Sequence, residues 1–146
     1  MDDKDLSILK ELVSDARYSY RKISRNVKLS VATVKNRVEI MEKNGLIEGY
    51  TAIVNPQKLG YEVTALIEVV VSKGKLLDVE EKLAQNPNVY AVYDATGTSD
   101  AILLVRFYKR EELSKFVKSI LAMENVERTI THFVLGVVKE DRRVYV

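Results

Sequence analysis

The pattern of apolar residues differs on the two sides of a turn-forming segment near residue 55. Before this segment they recur every three or four residues, as on one face of a helix. After it, β-rich runs alternate with two further segments of helical spacing. Residues 55–60 read Asn-Pro-Gln-Lys-Leu-Gly, which is typical of a turn. The sequence therefore predicts a helical domain at 1–54, a linker at 55–61 and an α+β domain at 62–146.

The first domain is predicted to contain three helices and a wing. Helical spacing covers the segments near residues 3–13, 19–27 and 31–44. Ser30 is a good N-cap for the third helix, because its hydroxyl can accept a hydrogen bond from the first turn. Residues 46–54 predict a strand pair, or one strand with a turn at Glu48-Gly49. This order is that of a winged helix-turn-helix.

The second and third helices form a basic segment. Residues 16–38 contain seven cationic side chains and no acid. A stretch of this kind favours binding to double-stranded DNA, with the third helix in the major groove and the second nearer the phosphates. The alternative is an ordinary solvated helical hairpin. The candidate DNA-binding residues are Arg21, Arg25, Ser30, Ala32, Thr33, Lys35, Asn36 and Arg37.

The second domain has a βαββαβ order, which predicts a ferredoxin-like sandwich with two helices on one face of a four-stranded sheet. Strands are expected at 63–72, 89–96, 100–108 and 126–139, and helices at 76–86 and 111–123. Residues 73–75 are expected to stop the first strand. The second sheet face has no helix to cover it, so a partner subunit is expected there. Leu66, Val70, Leu103 and Val105 are expected on this face.

Composition excludes several classes of site. The chain has no cysteine and one histidine, so disulfides, thiolate metal sites and multi-histidine metal sites are excluded. Its apolar runs are too short to cross a membrane, and its start is unlike a signal peptide. A cytoplasmic protein without a cofactor is expected. The net charge of +2 lies wholly within residues 1–55, where ten Lys/Arg face eight Asp/Glu.

Five motifs stand in a fixed order along the chain, the last being the turn at residues 97–100. The others are Asp5-Leu6-Ser7-Ile8-Leu9, Asp15-Ala16-Arg17-Tyr18-Ser19-Tyr20, Leu29-Ser30-Val31-Ala32-Thr33-Val34-Lys35-Asn36-Arg37-Val38 and Glu42-Lys43-Asn44-Gly45-Leu46-Ile47-Glu48-Gly49-Tyr50-Thr51-Ala52. In their order and spacing these motifs resemble the Lrp/AsnC family of feast/famine transcription regulators, a family of prokaryotes. The resemblance covers nearly the whole chain.

The resemblance implies a homodimer, often assembled into an octamer, that binds a pseudo-palindromic operator and responds to an amino acid. It also implies an effector pocket between dimers, beside the loop at residues 95–100. There, Asp100 could accept from the effector's ammonium group, and the backbone N–H groups of Gly97, Thr98 and Ser99 could hold its carboxylate. The alternative is a tight hairpin in which Asp100 bonds its own turn. Thr129 and Thr131, which share one strand face, could reach a neighbour's loop.

Two other functions stay open at this stage. Some sirohaem decarboxylases share this two-part build, but they need histidine and arginine near a tetrapyrrole, and this chain has one histidine, His132. That lone histidine fits a hydrogen-bonded structural residue better than a ligand. The second possibility is an amino-acid sensor without DNA function. No group of residues suggests catalysis, and the chain is not expected to be an enzyme.

Overall fold

The computed structural model describes residues 1–72, 74–141 and 143–144. Residue 73 of the predicted strand stop, and residues 142, 145 and 146 of the predicted second domain, lie outside these ranges. The contacts divide the chain into two compact units. One contains residues 1–53 together with the segment from Lys139 onward, and the other contains residues 54–138. The C-terminal segment therefore groups with the helices, whereas the sequence had assigned it to the second domain.

The helical unit contains α1 (Asp3–Ser14), α2 (Tyr20–Val27) and α3 (Val31–Lys43). Asp2 caps α1 by accepting hydrogen bonds from the backbone N–H groups of Lys4 and Asp5. Glycine at position 45 follows α3 with a φ of +76°, the left-handed geometry expected after a helix end. The core of the unit consists of Ile8, Leu9, Leu12, Ile23, Val34, Val38 and Met41.

The predicted strand in the wing is wrong, because the structure has no strand between residues 46 and 54. A strand needs a hydrogen-bonded neighbour, and the start of this segment instead bonds back to the end of α3. The Ile47 N–H donates to the carbonyl of Met41, and the Leu46 N–H donates to the side chain of Asn44. Ile53 and Val54 beyond them are exposed.

The second unit has the predicted βαββαβ order and an antiparallel sheet with strand order β2-β3-β1-β4. A short 3₁₀ turn, Gln57–Leu59, precedes the first strand. The elements are β1 (Val63–Val71), α4 (Leu76–Ala84), β2 (Val89–Asp94), β3 (Ala101–Phe107), α5 (Arg110–Leu121) and β4 (Val126–Phe133).

The two faces of the sheet differ in burial. Along β1 and β3, every second residue is buried against the helices, including Leu103 and Val105. The expectation that these two residues face away from the helices is therefore wrong. Residues that pair across neighbouring strands share a face, so the register places a set of apolar side chains on the helix-free face. Among them are Leu66, Val70, Ala91, Tyr93, Ile102, Leu104 and Ile130.

The last strand is shorter than predicted, because its partner strand ends first. Phe133 pairs with Ala65, and the Val134 N–H donates to the carbonyl of Thr64. In this register residue 135 lies opposite Val63, where β1 begins, so residues 136–139 have no part of β1 to pair with. Apolar side chains at 135, 137 and 138 are accordingly exposed, although their composition suited a strand.

Candidate DNA-binding and effector-binding sites

Ser30 occupies the predicted capping position at the start of α3. Its hydroxyl accepts from the Thr33 N–H at 3.0 Å and lies 2.7 Å from the Thr33 hydroxyl. This satisfies one unpaired donor of the first helical turn. The two hydroxyls thus bond to each other, and the one that accepts keeps its own O–H free to donate.

Arg37 was expected to face the major groove of DNA, but its guanidinium is bonded within the protein. Its Nη1 donates to both carboxylate oxygens of Asp2 at 2.9 Å and to Oδ1 of Asp5 at 2.7 Å. The Asp5 N–H and this guanidinium lower the pKa of Asp2. The Arg37 side chain therefore ties α3 to the start of α1.

Other cations of the basic segment contact acids that lie outside the counted stretch, or one aromatic ring within it. Arg17 pairs with Asp15 at 2.9 Å, and Lys35 pairs with Glu39 at 3.5 Å. The ammonium of Lys22 lies 3.3 Å above the ring centre of Tyr18. Of the seven cations in the basic segment, Arg21, Arg25 and Lys28 have side chains that bond to no other described residue.

Two predicted base-reading residues lie on the solvent-facing side of α3. Ala32 and Asn36 are exposed, and both line an open groove of about 550 Å³ along the helix. The amide of Asn36 makes no hydrogen bond to any other described residue. The same groove is lined by Ile40, which is 52% exposed and which the sequence analysis did not single out.

In the effector loop, Asp100 joins the hairpin to the neighbouring strand. Its Oδ2 accepts from the Val71 N–H at 2.8 Å, and its own N–H donates to the carbonyl of Val69. Its carbonyl accepts from the Ala95 N–H, which closes the turn. The carboxylate thus bonds β1, whereas the alternative from sequence had it bonding its own turn. Its other oxygen, Oδ1, bonds to no described residue.

The turn itself presents backbone donors. The N–H groups of Gly97, Thr98 and Ser99 donate to no acceptor among the described residues. Glycine at position 97 has a φ of +137°, a conformation that other residues rarely adopt. No atom lies within 4 Å of the place where a Cβ would be, so a small group can approach this backbone.

The sequence analysis missed a polar network that fixes the same loop. The buried Ser99 hydroxyl donates to Oε2 of Glu68 at 2.9 Å, and Nε2 of His132 lies 2.8 Å from Oε1. Hydrogen bonds from His132 and Ser99 lower the pKa of Glu68. A signal was present, since Glu68 is the one charged residue within the largely apolar strand β1. The lone histidine is therefore hydrogen-bonded.

Thr129 and Thr131 share the predicted face of β4, opposite Val69 and Ile67. They are not brought to the loop within one chain. Ala101 and Thr129 both pair with Val69, on opposite sides of β1. Ala101 and Thr129 are therefore separated by two strand spacings, or about 10 Å.

Both halves of the chain match family models. A winged helix-turn-helix DNA-binding model matches residues 1–48, and an Lrp/AsnC ligand-binding domain model matches residues 64–144.

The chain belongs to the Lrp/AsnC family.

Relatives within this family are similar in sequence to the chain over almost its full length. An HTH-type transcriptional regulator of Pyrococcus furiosus, itself uncharacterised, is 42% identical over 144 residues, which is 99% of this chain and 97% of the relative. The regulator FL11 of the same organism is 36% identical over 140 residues, covering 96% and 93%.

Solved structures of Lrp/AsnC proteins superpose closely on the chain. AsnC of Escherichia coli has a TM-score of 0.89 with 26% identity, covering 97% of this chain and 96% of AsnC. A regulator of Neisseria meningitidis in complex with L-Met has a TM-score of 0.88 with 27% identity, covering 99% and 96%.

This Lrp/AsnC chain is therefore a DNA-binding transcriptional regulator with a domain that binds a small-molecule effector. The names of its relatives are those of regulators. Among the described residues, no helix is long and apolar enough to span a membrane. The described ranges also contain no group of three or more side chains suited to a metal ion.

Proposed function

We propose that the protein binds a pseudo-palindromic operator as a homodimer, with Arg21 and Arg25 on phosphates and the N-terminal half of α3 in the major groove. The observation that carries this proposal is the pair of exposed α2 arginines, which bond to no other described residue. Ser30 supports the proposal indirectly, because its cap starts the helix that presents Ala32, Thr33, Lys35 and Asn36. Arg37 contributes by holding that helix against α1.

The homodimer part of the proposal rests on the helix-free sheet face. A sheet of four strands with an apolar second face needs a cover, and a second copy offers a complementary one. A two-fold dimer would set its two recognition helices roughly 34 Å apart, or a multiple of this, to match one turn of B-DNA.

The DNA contacts are tested by the salt dependence of binding. For Arg25→Gln, we expect the slope of log affinity against log salt to become smaller by about 0.9, since one phosphate contact is lost. Arg17→Gln is the matched control, because Asp15 already occupies that guanidinium. Equal changes of slope for the two variants would contradict the assignment of Arg25.

For the effector, we propose an amino acid bound at the loop of residues 95–100. The free N–H groups of Gly97, Thr98 and Ser99 would hold its carboxylate, and Oδ1 of Asp100 would accept from its ammonium group. Since Thr129 and Thr131 lie across β1 from the loop, they would contact the effector from a neighbouring copy. Such a pocket between dimers would favour assembly to an octamer, and the effector would change this assembly by its different affinity for the two states.

A thermal-shift screen of the twenty amino acids, beginning with L-methionine, tests the effector class. A ligand at a hundred times its dissociation constant should stabilise the protein by about 2.7 kcal/mol. Calorimetric titration of the best ligand into Asp100→Asn should then show a large loss of affinity. Asp94→Asn, on the strand before the loop, is the control and should bind normally. Unchanged affinity in Asp100→Asn would place the ammonium acceptor elsewhere.

A further inference from the structure

A pocket of the helical unit lies where the end of α1, the turn before α2 and the end of α3 meet. This tyrosine pocket has a volume of about 430 Å³ and shares no lining residue with the groove along α3. Three aromatic rings, two aliphatic side chains, a hydroxyl group and one carboxylate line it. They belong to Tyr18, Tyr20, Tyr50, Leu12, Ala16, Ser19 and Glu42. The lining is therefore mainly apolar and aromatic, with one acidic side chain.

The carboxylate of Glu42 is only partly used within the protein. Its Oε1 accepts from the Tyr50 hydroxyl at 2.9 Å. Burial and this hydrogen bond raise the pKa of Tyr50 to about 12, so the phenol keeps its proton near neutral pH and donates it to Glu42. The other oxygen, Oε2, bonds to no described residue, and Glu42 pairs with no cation in the described ranges. One charged acceptor is thus left for a donor from outside.

The rings of the tyrosine pocket suit a positive charge, because the face of an aromatic ring attracts cations. The Lys22 ammonium already lies 3.3 Å above the ring centre of Tyr18, although Lys22 itself does not line the pocket. In the part of the chain that the structure describes, no cation lies over the ring of Tyr20 or Tyr50. These two rings and the Glu42 carboxylate therefore form an unoccupied set of cation-binding groups.

We propose that the tyrosine pocket binds the ammonium group of a small aliphatic amine. The ammonium donates to Oε2 of Glu42 and lies against the rings of Tyr20 and Tyr50. The alkyl chain of the amine lies on Leu12 and Ala16. A free carboxylate oxygen favours a primary or secondary amine over a quaternary one, which has no N–H to donate. This ligand needs no carboxylate, which distinguishes it from the amino acid proposed for the effector loop.

Lys22 provides the competing possibility. A lysine side chain is flexible, so its ammonium could leave Tyr18 and pair with Glu42, filling the tyrosine pocket from within. In that case the wild type would bind no amine, and Lys22→Met would open the pocket to one.

The first test compares three small probes of equal alkyl chain on the full-length protein without DNA. They are n-butylamine, which is protonated at pH 7, n-butyltrimethylammonium and n-butanol. Titration followed by proton NMR should give the tightest binding for n-butylamine, with its alkyl protons shifted upfield by the rings. The trimethylammonium probe should bind about tenfold more weakly, because it lacks the charged hydrogen bond. Equal affinity for n-butanol, or for the trimethylammonium probe, would overturn the proposed ammonium contact.

Protein variants assign the contacts. Glu42→Gln should weaken the binding of n-butylamine about tenfold, and Tyr50→Leu about fivefold. Tyr50→Phe keeps the ring and should bind nearly as tightly as the wild type. The matched controls are Glu39→Gln, which removes another exposed acid of α3, and Tyr108→Leu, which removes a similarly exposed ring outside the pocket. Unchanged affinity in both Glu42→Gln and Tyr50→Leu would overturn the proposal.

Two further variants separate the tyrosine pocket from the alternatives. Asp100→Asn should bind n-butylamine as the wild type does, and a loss there would move the amine to the effector loop and overturn the proposal. Binding by Lys22→Met but not by the wild type would also overturn it, since Lys22 would then be the occupant. Neither result depends on the proposed contacts with DNA.

Discussion

The helix-turn-helix and the effector loop leave different kinds of group available to a ligand. In the helix-turn-helix, the arginines of α2 are free, whereas most polar side chains of α3 are bonded within the protein. In the loop, Ser99 and Asp100 bond β1 through their side chains, and the backbone N–H groups are left free.

Each of the two motifs therefore contains residues of two kinds. Some side chains hold the motif in shape, and their loss should lower the free energy of unfolding. Others are unbonded, and their loss should affect binding alone.

The two sheet faces should respond differently to the same truncation. Leu103→Ala leaves a cavity beneath the helices and should lower the free energy of unfolding by about 2–5 kcal/mol. Leu104→Ala, on the helix-free face, should instead weaken self-association. Urea unfolding and sedimentation measure the two effects. A folded, undissociated Leu104→Ala protein with the stability loss expected of Leu103→Ala would contradict the division.

Removing the Asp100 carboxylate should destabilise the sheet unit before any effector is added. Asp100→Ala leaves the Val71 N–H without its partner, which should lower the free energy of unfolding by about 1–3 kcal/mol. Asp100→Asn keeps an acceptor and should recover much of this loss. Urea unfolding of both variants measures the difference, and wild-type stability in Asp100→Ala would mean that the bond to β1 is dispensable.

Loss of the α3 cap should have a moderate effect on the helical unit. Ser30→Ala removes the acceptor for the Thr33 N–H and should lower the free energy of unfolding by about 1 kcal/mol. Ser30→Asp, which preserves a capping oxygen, should stay close to wild type. Thermal unfolding followed by circular dichroism provides the comparison. If the cap had no role, the wild type, Ser30→Ala and Ser30→Asp would all unfold at the same temperature.

The smallest effect is expected at Asp15. The Arg17 guanidinium and N–H lower the pKa of Asp15 to about 2 from its ordinary value of 3.8. The lowered pKa means that the folded protein favours the charged form of Asp15. The resulting stabilisation of the folded state is present above about pH 4 and is lost as the pH falls toward 2. Asp15→Asn should therefore flatten the fall in unfolding free energy across that window. Salt at about 1 M should reduce the difference, because Arg17 is 89% exposed.

The order of elements could be predicted from the sequence because each element has its own apolar period. Buried apolar residues alternate along β1, and the apolar positions of α5 recur at helical spacing. The wing and the end of β4 could not be predicted in this way. Residues 46–54 and 135–139 have strand-like composition, but a strand also requires a partner with free backbone groups.

The prediction of which sheet face a residue occupies depended on where its strand was taken to begin. Residues 66 and 70 were correctly placed away from the helices, whereas Leu103 and Val105 were placed on the wrong face. A shift of one residue exchanges the two faces of a strand. An almost continuous apolar run such as that of β3 gives no alternation to reveal the shift.

The candidate sites show the same limit for polar residues. Counting cations over residues 16–38 could not show that Asp2, Asp5, Asp15 and Glu39, all outside that stretch, hold three of them. The roles proposed for the remaining residues in DNA and effector binding stay predictions. The chemical properties of these residues fit DNA and an amino acid, and the experiments above test whether each residue has its proposed role.

The bonds between Asp2 and Arg37 also affect the order in which the molecule can be completed during its synthesis. The two residues are 35 positions apart, so a ribosome adding 5–20 residues per second makes the second roughly 2–7 s after the first. During that interval Asp2 and Asp5 can close only their local cap on α1. The nascent helical unit therefore gains its long-range ion pairs only once the recognition helix has left the exit tunnel.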